Sequence, residues 1–274
     1  MRQLPGELGK PTERCGLCKT CQLAGSPGDR VQLPQPERSS GWRVHVVVPG
    51  CWWWGWRGVS IITYIVDNWG TLAPQVVTHI EIVAMSMAAA ALIGLILGVF
   101  AARSERFSTL ILGVTSTLLT VPSFALFGLL SIWAGLGNPP VIIGLVLYAL
   151  LPVVRNTATG IRAVEPAVTE AARGMGMRPS QVLARVELPL AAPAILGGLR
   201  QATVMVVAIA TVGATVGADD LGQPILEALG RSSGTLVQIL AGVIPVAAIG
   251  LVADGVLAGI QRALSRGAAR GAVG

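Results

Sequence analysis

No charged residue occurs between Arg106 and Arg155. That stretch limits the fold more than any motif, because so long an apolar run has to be kept from water along its whole length. A helix crosses the hydrocarbon core of a bilayer in about 20 apolar residues, so the run is long enough for two crossings. Composition agrees. Of the 274 residues 53% are hydrophobic and 12% charged, where a soluble domain carries about 25% charged. An acid-rich binding tail, a coiled coil and a disulfide-stapled secreted module are excluded on the same ground. The fold class is therefore all-α, a polytopic membrane protein.

The other runs set the number of spans. Ile82 to Ala102 lies uncharged between Glu81 and Arg103. The stretch after Arg106 is broken at Gly135-Leu136-Gly137-Asn138-Pro139-Pro140, a strong turn signal. A fourth run follows Arg200 and ends at Asp219, and a fifth extends from Thr235 to Ala253. These place spans near 80–102, 107–134, 140–157, 193–217 and 235–260. Five is the minimum and six the count if Pro122 divides the second span rather than kinking it. Basic and non-basic loops alternate: Arg103 and Arg106 mark the first, six arginines from Arg155 to Arg200 the third, and Arg262, Arg266 and Arg270 the C-terminus. The loop with Asp219, Asp220 and Glu227 holds only Arg231. Basic loops stay inside, so loops one and three and the tail, 265–274, are expected in the cytoplasm of a plasma (inner) membrane protein. Before the first span, Ile61 to Trp69 is amphipathic with aromatic ends and suits a helix lying in the outer interface.

Residues 1–57 belong to another compositional regime. They hold all four cysteines, both lysines and five of the seven tryptophans, and they supply eight Lys+Arg against four Asp+Glu. Cys15, Cys18 and Cys21 form a C-x2-C-x2-C cluster with the look of a metal or iron–sulfur site, but Gly25 stands where the fourth ligand would be. No apolar stretch of the length a signal peptide needs follows the first basic residues. This basic segment, placed outside, also breaks the loop alternation. It reads as a disordered or non-native extension, with a start near Val59. Its departure removes most of the net charge of +6, which then reports membrane orientation and calls for no nucleic acid.

The third loop, expected in the cytoplasm, is patterned. Pro166 stands at a helix start, with Val168, Ala171 and Ala172 as a short apolar face before Gly174 and Gly176; Pro179 begins a second short helix with Val182, Leu183 and Val186 on one side, closed by Leu188-Pro189. Two short helices joined by a glycine turn make a knob that fits a groove in another protein; a plain loop with incidental helices is the competing reading. The run Glu170-Ala171-Ala172-Arg173-Gly174-Met175-Gly176, nine further residues to Val186, then Leu188-Pro189 resembles the E-A-A-x3-G-x9-I-x-L-P signature of ABC importer permeases of type I, with Val186 in place of Ile. A narrower match, Ala149 to Thr157 with Gly160-Ile161-Arg162, Val121-Pro122-Ser123 and Gly222, is similar to the osmoprotectant subfamily, permeases for glycine betaine, choline, carnitine or proline betaine. Asp219-Asp220 departs from it, where relatives commonly carry Gly-Gly; this outer loop is expected to face a binding protein.

The resemblance implies a permease domain over 58–264 with a coupling loop at 162–190. Glu170, Ala171, Ala172, Gly176, Val186, Leu188 and Pro189 would dock on a cytoplasmic ATPase subunit. A second permease subunit, identical or related, would enclose the path, and an extracytoplasmic substrate-binding protein would deliver the solute. ATP and Mg would bind the partner, since no lysine follows Arg57 and no G-x4-G-K-[ST] phosphate loop can exist there. The permease chain itself is assigned no cofactor, catalytic residue or metal ligand.

Within the spans, Phe124, Trp133, Tyr148 and Asn156 are candidates for the translocation path, against packing roles for the same side chains. Three G-x3-G spacings, Gly94 with Gly98, Gly213 with Gly217 and Gly255 with Gly259, are candidate helix contacts. Asp254 would be costly deep in the bilayer and is expected to pair with an arginine; His79 is assigned no chemistry. A self-contained channel or secondary transporter, an intramembrane enzyme, and an importer for another small solute such as an amino acid are the competing functions.

Overall fold

Prolines and glycines decide where the helices stop. The computed structural model describes residues 61–231 and 236–271; the 1–57 segment and its cysteines lie outside them. Among the described residues all regular structure is helical. α1 (Ile61–Asp67) precedes α2 (Trp69–Arg103), which ends because Ser104 is extended, at φ −147° and ψ 130°. Glu105 opens α3 (Glu105–Thr120), an acid at the positive end of the helix dipole. Pro122 then pushes the preceding Val121 out of the helical region, to ψ 128°, and α4 (Ser123–Ala134) starts afresh.

The span expected over 107–134 is therefore not one rod: α3 and α4 meet at 100°. Gly135 and Gly137, with φ of 79° and 104°, close α4, and α5 (Asn138–Arg162) begins with prolines in its first turn, where a missing N–H costs nothing.

After a loop described below, α8 (Leu188–Ala210) continues into a tight 3₁₀ stretch at Thr211–Val216. α9 (Gln223–Gly230) and α10 (Leu236–Gly271) follow. α10 continues through the expected tail as far as Gly271. Among the described residues four helical stretches, Trp69–Arg103, Asn138–Arg162, Pro179–Val216 and Leu236–Leu264, are long and apolar enough to cross a membrane, five with the bent pair.

α5 is the axis of the bundle. In its most apolar stretch 61% of residues are buried in protein, against 11% for α10. α2 and α8 both pack on it and touch each other, and α10 packs on α8. Ile82, Phe127, Val141, Leu145, Val153 and Val206 are fully buried between them. The contact with α2 is close because Gly94 and Gly98 present no side chain: a Cβ at Gly94 would fall 2.6 Å from Val153 Cγ1, and one at Gly98 2.5 Å from Thr157 Cβ. The other G-x3-G spacings differ. Gly213 lies against Val141, Gly217 is a left-handed turn at φ 86°, and Gly255 and Gly259 meet nothing within 4 Å among the described residues. The outer surface is apolar, with Leu251, Ile132 and Trp133 each at least three-quarters exposed, as lipid or a partner would require.

Candidate functional site

Between Arg162 and Leu188 the chain leaves the bundle and folds back. α6 (Pro166–Gly174) is led by a proline in its first turn. Its Ala172 is buried while Glu170, Ala171 and Arg173 are exposed, so the Ala face that packs inward leaves an acidic and small-residue face outward. The helix ends on Gly176, at φ 85°. There the Gly176 N–H donates to Arg173 O, and the Met177 N–H reaches back to Ala172 O. This left-handed closure is the geometry glycine adopts without steric cost, which explains why glycine occupies that place in the signature.

Arg178 and Pro179 open α7 (Pro179–Val182), where the Arg178 N–H donates to Gln181 Oε1 at 2.9 Å and Val182 is buried. α6 packs on this second arm. The arm then takes one wide π turn, Leu183–Glu187, before α8. Pro189 accounts for it: it has no N–H, and its ring crowds the carbonyl four residues back, at Arg185. The Leu188 N–H bonds instead to Leu183 O. Val186 and Leu188 are half-buried and Pro189 is exposed. The seven signature residues thus fall on one folded-back loop, with Glu170, Ala171, Gly176 and Pro189 at its surface.

Two groups the motif does not contain hold this loop to the bundle. Glu187, its side chain 5% exposed, accepts from both ends of the Arg103 guanidinium, Nη2 to Oε2 at 2.6 Å and Nη1 to Oε1 at 3.2 Å. Arg162 donates from Nη2 to Ala101 O at 2.6 Å and more weakly from Nε to Ala102 O at 3.4 Å. Arg162 thereby satisfies carbonyls that the end of α2 would leave without partners. One signal for Glu187 was legible: it is the only acid from Ala171 to Ala218, set among Leu183, Val186 and Leu188.

The four path candidates are not gathered together. Tyr148 is buried, and its hydroxyl donates to Val121 O at 2.6 Å, pinning the α3–α4 bend. Asn156 Nδ2 donates to Pro152 O within its own helix at 2.8 Å, and the side chain lies against Gly198 of α8. Phe124 and Trp133 are 65% and 86% exposed. Asp254 is held by Arg200 through two bonds of 2.8 and 2.9 Å, in a cleft of about 500 Å³ between α8 and α10. Gln261 extends the network, accepting from Arg200 Nη1 and donating to Pro193 O.

Asp219 and Asp220 part company. Asp219 is exposed, but Asp220 does not face outward: it is fully buried, with Oδ2 3.3 Å from His79 Nδ1 and Oδ1 accepting the Gly222 N–H at 2.9 Å. His79, to which no chemistry was assigned, is the buried partner that makes an acid tolerable there.

Helices long and apolar enough to cross a membrane pack around α5, with a folded-back loop held to α2 at both of its ends, and this is the arrangement of an integral membrane protein. The family model described as a binding-protein-dependent transport system inner membrane component matches residues 94–266, and the chain belongs to that family. It is an integral inner-membrane protein, the permease component of an importer. Curated relatives agree. The chain is 40% identical over 203 residues to the glycine betaine/carnitine/choline transport system permease protein OpuCD of Bacillus subtilis (strain 168), covering 74% of this chain and 88% of that one. It is 38% identical over 212 residues to the osmoprotectant import permease protein OsmW of Salmonella typhimurium, covering 76% and 98%. Among solved structures, an inward-facing conformation of the MetNI methionine ABC transporter superposes with a TM-score of 0.64 at 20% identity, over 72% of this chain and 98% of that one; this similarity concerns the fold.

Proposed function

We propose that this chain is the permease of an ATP-driven importer for a compatible solute of the quaternary ammonium class, such as glycine betaine, choline, carnitine or proline betaine. The 163–189 loop would dock on a cytoplasmic ATPase subunit, which binds ATP and Mg and performs the hydrolysis. The observation that carries the docking is the loop itself: Glu170 and Ala171 lie on an exposed face closed by the left-handed Gly176. The solute class rests on the names of the similar permeases. The arginines of loops one and three and of the C-terminal region support a cytoplasmic side for this loop and for the C-terminus.

A second permease subunit would complete the path, and an extracytoplasmic binding protein would deliver solute to it. Phe124 and Trp133, which are exposed, and Tyr148 and Asn156, which each bond to a backbone carbonyl, stay candidates for a path shared between subunits.

Reconstitution into proteoliposomes with the ATPase and binding protein tests the reading. ATP-dependent uptake of labelled glycine betaine or choline is expected, and none without the ATPase. Uptake that persists without the ATPase would overturn the importer; uptake of an amino acid and of no quaternary amine would overturn the solute class.

A further inference from the structure

The coupling loop is joined in sequence to two helices, α5 at Arg162 and α8 at Leu188. Its two ends nevertheless grip a third. Arg162, at the start, donates to Ala101 O and Ala102 O; Glu187, at the close, takes the guanidinium of Arg103 in a two-bond fork. All of these α2 groups lie within its last turn. We propose that Arg162, Glu187 and Arg103 form a clamp that makes α2 a third output of the loop: positioning residues through which movement of the loop is passed to a helix it does not adjoin in sequence. The proposal rests on the docking reading above and deepens it.

The chemistry suits transmission. A guanidinium–carboxylate fork is planar and bidentate, so it resists rotation as well as separation, which a single ammonium contact would not. Glu187 is almost fully enclosed, and a carboxylate held there without its cation is strongly disfavoured. The pair therefore holds as a unit while the loop moves. Arg162 adds a cation at the negative end of the α2 dipole, where it is favoured. Farther along, α2 is locked to α5 at Gly94 and Gly98. Nearer its start, His79 meets Asp220, roughly 36 Å up the helix from Arg103 at 1.5 Å per residue. A displacement at the clamp therefore reaches the segment around Asp220, on the side of the bundle away from the loop.

The test uses the whole transporter in proteoliposomes, with ATP hydrolysis, glycine betaine uptake and co-purification of the ATPase measured on the same preparations. Glu187→Gln and Arg103→Gln are expected to keep the ATPase bound and hydrolysing, while uptake per ATP falls about tenfold, a usual size for loss of site-to-site coupling. The charge-swapped double variant Arg103→Glu with Glu187→Arg is expected to regain part of the coupling. Arg103→Lys, which keeps the charge and loses the fork, is expected between wild type and Gln. If a single variant does not assemble, Arg103→Met with Glu187→Met removes both charges together and keeps the site filled; it too is expected to hydrolyse without transport. An unchanged ratio of uptake to hydrolysis in assembled variants overturns the clamp. Loss of ATPase co-purification overturns it as well, because these residues would then belong to the docking surface. Failure of the wild-type chain to bind the ATPase overturns instead the docking reading on which the clamp rests.

Discussion

The two ends of α2 are held by polar pairs of opposite character. At the loop end, Arg103 is 42% exposed and Glu187 5% exposed, and the two share a bidentate fork with Arg162 alongside. Toward the other end, His79 and Asp220 are both fully enclosed and meet through one contact of 3.3 Å. His79 Nε2 and, one turn earlier, Gln75 Oε1 have no hydrogen-bond partner among the described residues. The first pair keeps one foot in solvent, so breaking it from the acid's side leaves an arginine that water can solvate. The second has no such escape, because every group released would stay buried. One helix is thus anchored by a pair suited to carrying movement and by a pair suited to fixing position.

That contrast sets an order of expected effects. Asp220→Ala strips His79 of its partner and leaves the Gly222 N–H without its acceptor, two buried groups at about 2 kcal/mol each, and so should cost about 4 kcal/mol of stability in all. Asp220→Asn, which retains an acceptor for Gly222, should recover much of the loss. Equilibrium unfolding in mixed micelles measures both, and an unchanged midpoint for Asp220→Ala would show that the buried pair does not hold α2. At the loop end the two halves should be unequal. Arg103→Ala abandons an enclosed carboxylate and should cost about 3 kcal/mol, whereas Glu187→Ala frees a half-exposed arginine and should cost about 1 kcal/mol. Equal losses would remove the distinction between the two ends.

Between the ends, Gly98→Ala would drive a Cβ into Thr157 and should cost about 2 kcal/mol by overpacking. It should also lower solute transport, since α2 could no longer sit on α5. Gly259→Ala is the control: nothing among the described residues lies within 4 Å of a Cβ there, and alanine is the better helix former, so the change should be neutral or stabilising by up to about 1 kcal/mol. If Gly98→Ala and Gly259→Ala unfold alike, the close approach of α2 and α5 is not what joins the two anchors.

Much of the molecule was legible beforehand because its signals are local. Uncharged runs mark helices wherever they occur, and Pro122 and the Gly135–Pro140 segment mark breaks through backbone sterics alone. The Glu170 to Pro189 pattern places a folded-back loop, and Gly176 is required by its own φ. Asp254 called for an arginine on cost alone, and Arg200 is the one that meets it. What the pattern did not show were the pairs His79–Asp220, 141 residues apart, and Arg103–Glu187, 84 residues apart. Nor did it show that Tyr148, a path candidate weighed against packing, bonds to Val121, 27 residues away.

The sequence by itself determined an all-helical membrane protein, the count of its apolar runs, and the patterned loop that folds back between α5 and α8. These follow from hydrophobicity and backbone sterics, which act residue by residue. Only the tertiary structure decided that α3 and α4 meet at 100°, that Gly94 and Gly98 have a close neighbour while Gly255 and Gly259 meet nothing within 4 Å among the described residues, and that Asp220 is enclosed and not outward-facing. Those depend on which helices lie side by side, a choice settled by packing across the whole bundle and by the cost of leaving a buried charge unpaired.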